Sequence, residues 1–277
     1  MMAMTDCKWS RRLINTFCLA SIAGILSATG LTPETMAIDI NDVIKGAVEY
    51  IQVTNISDEQ EIEIGKQTNQ QILSQYQLED DVRVQQYVRD LGQELIENSS
   101  SRDIPFTFQV VVSDEVNAFA TPGGFVYVTT GLIKTADNKA QLASVVAHEI
   151  AHINQRHGVK GLKQAVAARG IAGAAGVETS QLAQIAYQLT LDLPQSRTFE
   201  YEADSNGLKI LEQSGYPATA FANFLAKLEA GGNTPEFIRT HPTSQNRIEA
   251  LKQNPQNNAN TKGLDSQAYQ NTVLTWL

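Results

Sequence analysis

Three of the chain's four histidines fall within one short run, VVAHEIAHINQRH, from Val145 to His157. No other stretch restricts the fold as much. His148 and His152 are four residues apart, so on an α-helix both rings project from one face, one turn apart. Two imidazoles in that relation can share one metal ion. Glu149 lies about 60° around the helix from His152, near enough to reach a metal-bound water without ligating the metal. This is the HExxH pattern of zinc sites, in which the ion acidifies its water and the glutamate takes the proton as hydroxide attacks a carbonyl. The competing reading is a helix with solvated polar residues. Against it, Leu142, Val146, Ile150 and Ile153 form a separate apolar stripe, so a core face runs beside a distinct histidine face. Ala147 and Ala151 are small and leave room for an ion.

A zinc hydrolase needs a third protein ligand and an open fourth position. Where one class of zinc peptidases has a further histidine, this chain has Gly158. The next candidate stretch is SRTFEYEADSNG, Ser196 to Gly207. Glu200 and Asp204 are again four apart on one helical face. Glu200 suits the third ligand, and Asp204 suits an acceptor for the second N–H of a ligand imidazole. Glu202 points to nearly the opposite side and reads as solvated. His157, with Arg156, reads as a charge at the negative end of the helix dipole, with Gly158 ending the helix.

The remaining organisation is that of an ordinary globular protein. The 277 residues are 42% hydrophobic and 18% charged, enough for one large domain or two small ones. A net charge of −9, with no basic cluster beyond the first residues, argues against a general nucleic-acid binder. Lys8, Arg11 and Arg12 precede an apolar run from Leu13 to Leu31 and then Thr35-Met36-Ala37, the layout of a secretory signal peptide cleaved after Ala37. The rival is a retained membrane anchor, although Asn15, Thr16, Ser21, Ser27 and Thr29 make the run a poor spanning helix. Ser10-Arg11-Arg12 hints at a twin-arginine signal. Both cysteines, Cys7 and Cys18, lie in this leader, so a mature chain has no disulfide and no thiolate chemistry.

Residues 38–56 read as a lead-in. Ser57 opens a helix, with Gln60 completing a capping box. A second helix runs from about Asp80 to Asn98, with Val84, Tyr87, Val88, Leu91 and Leu95 at helical spacing. Phe106 to Val112 and Phe125 to Thr129 read as strands, the latter entered through Pro122-Gly123-Gly124. Asn138 opens the HExxH helix. Helices resume near Ser180, near Arg197 and over 218–230, and 170–177 is small and flexible. Past Pro255 the chain is Asn- and Gln-rich, which predicts a mobile polar tail over 253–277. Few strands and many helices give the α+β class, a mainly helical domain with a small sheet beside the HExxH helix.

HEIAH, then SRTFEYEAD, then HPTSQNRI from His241 to Ile248, taken in this order, resemble the zinc metallopeptidase family of the CAAX prenyl protease, HtpX and the mitochondrial OMA-type protease. NAFATPGGFVYVTTGL, Asn117 to Leu132, resembles that family's segment before the zinc helix. The similarity covers roughly 57–252, and it implies a zincin-like domain there. It also implies one zinc ion per chain on His148, His152 and Glu200, with Glu149 catalytic and Asp204 behind the ligands. The family's His-Pro element falls on His241 and Pro242, and its later arginine on Arg247. His241 then stands as a transition-state donor or a fourth ligand. Pro242 forces an extended backbone at His241, which suits a side chain held out toward a site. Arg247 is an oxyanion donor or a salt-bridge partner; the sequence does not choose.

A peptide could add to a sheet edge beside the ion along Asn117, Ala118, Phe119 and Ala120, with Gly123 and Gly124 allowing close approach. Local sequence allows a plain hairpin turn equally well. Some relatives have several membrane helices or C-terminal repeats. Beyond the leader this sequence has no second long apolar segment, so delivery of substrate by such parts is not expected. The expected function is a zinc metalloendopeptidase acting on peptides or unfolded proteins of an exported compartment such as the periplasm, in protein quality control, with membrane proximity only through the N-terminal segment. The alternative is an assembly or binding factor whose metal site His241 closes.

Overall fold

Secondary structure forms where capping and periodicity predict it. The computed structural model of the chain describes residues 55–168, 178–191, 193–232, 234–243, 245–253 and 260–277. The leader with both cysteines, nearly all of the lead-in, the 170–177 stretch and residues 254–259 of the tail lie outside the described residues. Helix α1 spans Asp58–Gln75. Its capping box is complete: the Ser57 hydroxyl accepts from the Gln60 N–H, and the Gln60 side chain accepts from the Ser57 N–H. Helix α2, Val82–Glu97, is capped by Asp81 and buries Val84, Val88, Leu91 and Leu95, the stripe that the spacing predicts.

Three strands follow: β1 (Thr107–Val111), β2 (Ala118–Thr121) and β3 (Phe125–Thr129). They form one sheet in the order β1-β3-β2, with β1 parallel and β2 antiparallel to β3. Strand β2 is absent from the sequence reading. It has four residues, two of them alanine, and no β-branched run to signal it. The β2–β3 turn needs its glycines, since Gly123 and Gly124 have φ of 79° and 94°.

The later elements are α3 (Thr130–Thr135), α4 (Lys139–Asn154), α5 (His157–Ala168), α6 (Thr179–Leu191), α7 (Arg197–Gln213), α8 (Thr219–Ala230), α9 (Glu236–Thr240), α10 (Gln245–Lys252) and α11 (Ser266–Thr272). The architecture is α+β, mostly helical around one small sheet. Helix α4 is its axis. Asn138 caps it by accepting from the Gln141 N–H, and every residue from Ala140 to Ile153 is buried. Helices α2, α7 and α8 and strands β2 and β3 surround it. Helix α7 crosses closely at Gly207, where a Cβ would stand 3.3 Å from the His148 backbone. Among the described residues no helix is long and apolar enough to cross a membrane.

Two expectations are corrected. Helix α4 ends before Gly158, and the chain reverses at Arg156, whose φ is +55°. A left-handed non-glycine residue costs about 1–2 kcal/mol. Ion pairs offset it here, because Arg156 Nε lies 2.9 Å from Glu61 Oε2 and Nη1 3.4 Å from Asp58 Oδ1. His157 therefore begins α5 instead of trailing α4. The end of the chain is also docked over 266–277, not loose. Tyr269 and Val273 are buried, the Tyr269 hydroxyl donates to the Ile133 carbonyl at 2.8 Å, and Trp276 packs edge-on to Tyr87. Those apolar residues sit one turn apart inside an Asn/Gln-rich stretch, whose composition hides them.

Candidate metal centre

Helix α4 supplies His148, Glu149 and His152, α7 supplies Glu200 and Asp204, and the α9–α10 connection supplies His241. Four ligand-type atoms, one each from His148, His152, Glu200 and His241, lie within 4.8 Å of one another, and all four residues are buried. The two Nε2 atoms of His148 and His152 are 3.1 Å apart. Glu200 Oε2 is 3.5 Å from His148 Nε2, and Oε1 is 3.4 Å from His152 Nε2. His241 Nδ1 is 3.1 Å from Glu200 Oε1 and 3.4 Å from His148 Nε2. A tetrahedral ion with bonds of about 2.0–2.1 Å sets its ligand atoms roughly 3.3–3.4 Å apart. The observed separations match that spacing, and the donor set of imidazoles and one carboxylate is what zinc prefers. The site fits the ion.

Glu149 has another position. Its Oε1 is buried, has no hydrogen-bond partner and lies 3.5 Å from His241 Nε2. Burial raises its carboxyl above the usual range. Burial opposes charge on Glu200 too, but the surrounding histidines, His241 foremost, more than offset it and hold that carboxyl well below the usual range. His152 is lowered to about 3, chiefly by burial, so its ring is neutral and free to ligate. For His148 burial also works against the cation, yet Asp204 and Glu200 outweigh it and raise it to about 9. A bound cation would compete with that proton.

Behind the ligands, Asp204 Oδ1 lies 3.2 Å from His148 Nδ1, within ion-pair range although not a well-aligned hydrogen bond. Arg247 donates to both Asp204 oxygens, at 2.6 and 2.7 Å, and its Nη1 lies 2.6 Å from Glu200 Oε2. The guanidinium is buried and does not line the cleft beside the ligands. Of the two sequence readings of Arg247, its position is that of a salt-bridge partner. An oxyanion donor would have to face the cleft.

That cleft has a volume of 380 Å³, and Glu149, His152, His241, Ala165, Ala186 and Leu189 are among the residues that line it. Phe119 and Ala120 of the β2 edge reach it. Gly123 and Gly124 do not: a Cβ on Gly123 would stand 2.8 Å from the Glu61 carbonyl, and one on Gly124 2.1 Å from that of Pro105. These glycines serve the turn and its packing, not the approach of a peptide. Asn117 and Ala118 are buried at the start of the strand.

Sequence reasoning misassigned His157. His157 is buried, with Nδ1 2.9 Å from His152 Nδ1. Its Nε2 is 3.0 Å from Glu202 Oε2, whose side chain keeps 42% of its surface exposed, as its reading as a solvated residue expects. The signal was weak: Asn154 is a poor helix former ahead of Arg156, and only a helix break there returns His157 to His152.

The chain is similar to known proteins. The model of peptidase family M48 matches residues 83–254. The β-barrel assembly-enhancing protease of Escherichia coli K12 is 32% identical over 212 residues, 70% of this chain and 44% of that protein. Its counterpart from Yersinia pestis is 34% identical over 217 residues, with 70% and 43% covered. The mitochondrial metalloendopeptidase OMA1 of Schizosaccharomyces pombe is 31% identical over 174 residues, with 60% and 52% covered. The chain thus spans about half the length of these relatives. With the family's model matching most of the chain, from α2 through α10, the chain belongs to peptidase family M48.

Proposed function

We propose that this protein is a zinc-dependent endopeptidase that hydrolyses peptide bonds of exported or envelope proteins, in their quality control. The observation that carries the reading is the buried Glu149 oxygen, without a hydrogen-bond partner, on a residue that lines a cleft beside the four converging ligand atoms. His148, His152 and Glu200 would hold the ion. When bound, zinc acidifies a water molecule and polarises a peptide carbonyl. Glu149 takes the proton of the attacking water and returns it to the leaving amine. Asp204 and Arg247 keep His148 and Glu200 in place. The β2 edge, through Phe119 and Ala120, offers backbone groups to an extended substrate. The signal-peptide layout of residues 8–37 supports an extracytoplasmic setting.

The test is a casein-cleavage assay on the purified full chain with metal analysis. Cleavage is expected to vanish with a zinc chelator and to return on adding zinc. Protein that takes up no zinc, or cleavage indifferent to the chelator, overturns the reading.

A second observation favours a site that is closed at rest. His241 Nδ1 occupies the fourth corner of the ligand set and stacks on Phe237 at 4.6 Å. His241→Ala is therefore expected to raise casein cleavage, roughly tenfold where one site in ten is open. A fall in rate assigns His241 to the reaction itself. No cleavage by either form, with zinc bound in both, favours the assembly or binding factor.

A further inference from the structure

The two ligand histidines are backed by different chemistry. His148 Nδ1 faces the carboxylate of Asp204. His152 Nδ1 faces a second imidazole, His157, whose far nitrogen faces Glu202. In a chain of imidazoles each nitrogen either donates or accepts, so one assignment fixes the others. The assignment starts from Glu202, because a carboxylate only accepts. His157 must therefore donate from Nε2, which leaves Nδ1 of the neutral ring as an acceptor. His152 must then carry its proton on Nδ1, and its Nε2 lone pair turns toward His148 and Glu200. That is the tautomer a ligand at this position needs.

We propose that His157 and Glu202 are positioning residues: they fix the tautomer and tilt of His152 so that Nε2 is presented to the metal. The inference rests on His152 being a ligand. The surroundings are built to hold the pair. His157 is 1% exposed in its side chain and stacks on Phe199 with centroids 4.4 Å apart and planes 10° from parallel. The left-handed turn at Arg156 aims it back at α4. Lys160 Nζ sits 3.2 Å from Glu202 Oε2, which holds the outer end of the relay.

The experiment compares full-length wild type, His157→Phe and His157→Asn. Phenylalanine keeps the stack on Phe199 but removes the acceptor, whereas the asparagine carboxamide oxygen can replace Nδ1. Zinc affinity is read by competition with a chromophoric chelator, and melting temperature is read on the zinc-free protein. His157→Phe is expected to weaken zinc binding about 10–100-fold, the usual cost of losing a group behind a ligand, without lowering the zinc-free melting temperature. His157→Asn should regain most of that affinity. Nitrogen-15 spectra of zinc-loaded wild type should place protons on His152 Nδ1 and His157 Nε2. Equal affinity in His157→Phe and wild type, or a proton on His157 Nδ1, overturns the proposal. If His157→Phe does not fold, the wild-type spectrum alone decides. If wild type takes up no zinc, the ligand assignment fails first, and this inference falls with it.

Discussion

Glu149→Gln is expected to lower the kcat for casein cleavage by about 10²–10⁴-fold, the usual range for a lost acid–base group, with zinc content unchanged. The asymmetry follows from position. Glu149 is no member of the converging ligand set, so its amide leaves the metal donors intact. What disappears is a buried carboxylate oxygen that has no hydrogen-bond partner. Glutamine matches glutamate in size, so packing against the surrounding helices is preserved and a fold defect is not expected. Equal rates for wild type and variant would remove Glu149 from the reaction. Loss of zinc together with activity would instead make it part of the ligand framework.

Arg247→Met should be the most destabilising single change near the site. Arg247 is among the largest fully buried side chains, and its charge sits between two buried carboxylates, Asp204 and Glu200. Burial alone would push the Asp204 carboxyl up, yet Arg247 together with His148 more than offsets that and holds it below the usual range. Removing one partner of a buried pair leaves an uncompensated charge and costs about 3–5 kcal/mol. At roughly 2–4 °C per kcal/mol for a domain of this size, the zinc-free protein should melt about 10 °C lower. Combining Asp204→Asn with Arg247→Met should recover part of the loss, because the stranded charge goes too. A thermal scan showing no shift in Arg247→Met would mean that the ion pair contributes nothing net, and the two carboxylates would then be neutralised by other groups.

What could be read from the sequence followed the range of the contacts. His148, Glu149 and His152 share one helix, so periodicity alone places them together, and Glu200 and Asp204 repeat that logic on α7. Helix starts at Ser57 and Asn138 were legible because a cap needs only its own first turn. His241 carries no periodic signal and came forward through the resemblance and through Pro242. Arg247 stayed open between two roles, since both suit a cation near an acidic cluster and only its burial on the far side of the ligands separates them. His157 was misread because its contact depends on a backbone reversal at Arg156. That reversal is stabilised by Glu61, nearly a hundred residues earlier, which no local pattern encodes. The docked C-terminal helix was hidden for the opposite reason: local composition was informative but spoke only for its exposed residues.

The burial of α4 on every side has a further consequence. Three of the site's groups ride on the best-braced element of the molecule, whereas His241 rides on the end of a five-residue helix next to a proline. Segments with few braced neighbours open at lower free energy than a domain's central element. Any opening of the ligand polygon must therefore behave like a vice with one fixed jaw and one sliding jaw. Selection for faster or slower resting activity would act on the bearings of the sliding jaw, Phe237 and Pro242, sooner than on the jaw that grips.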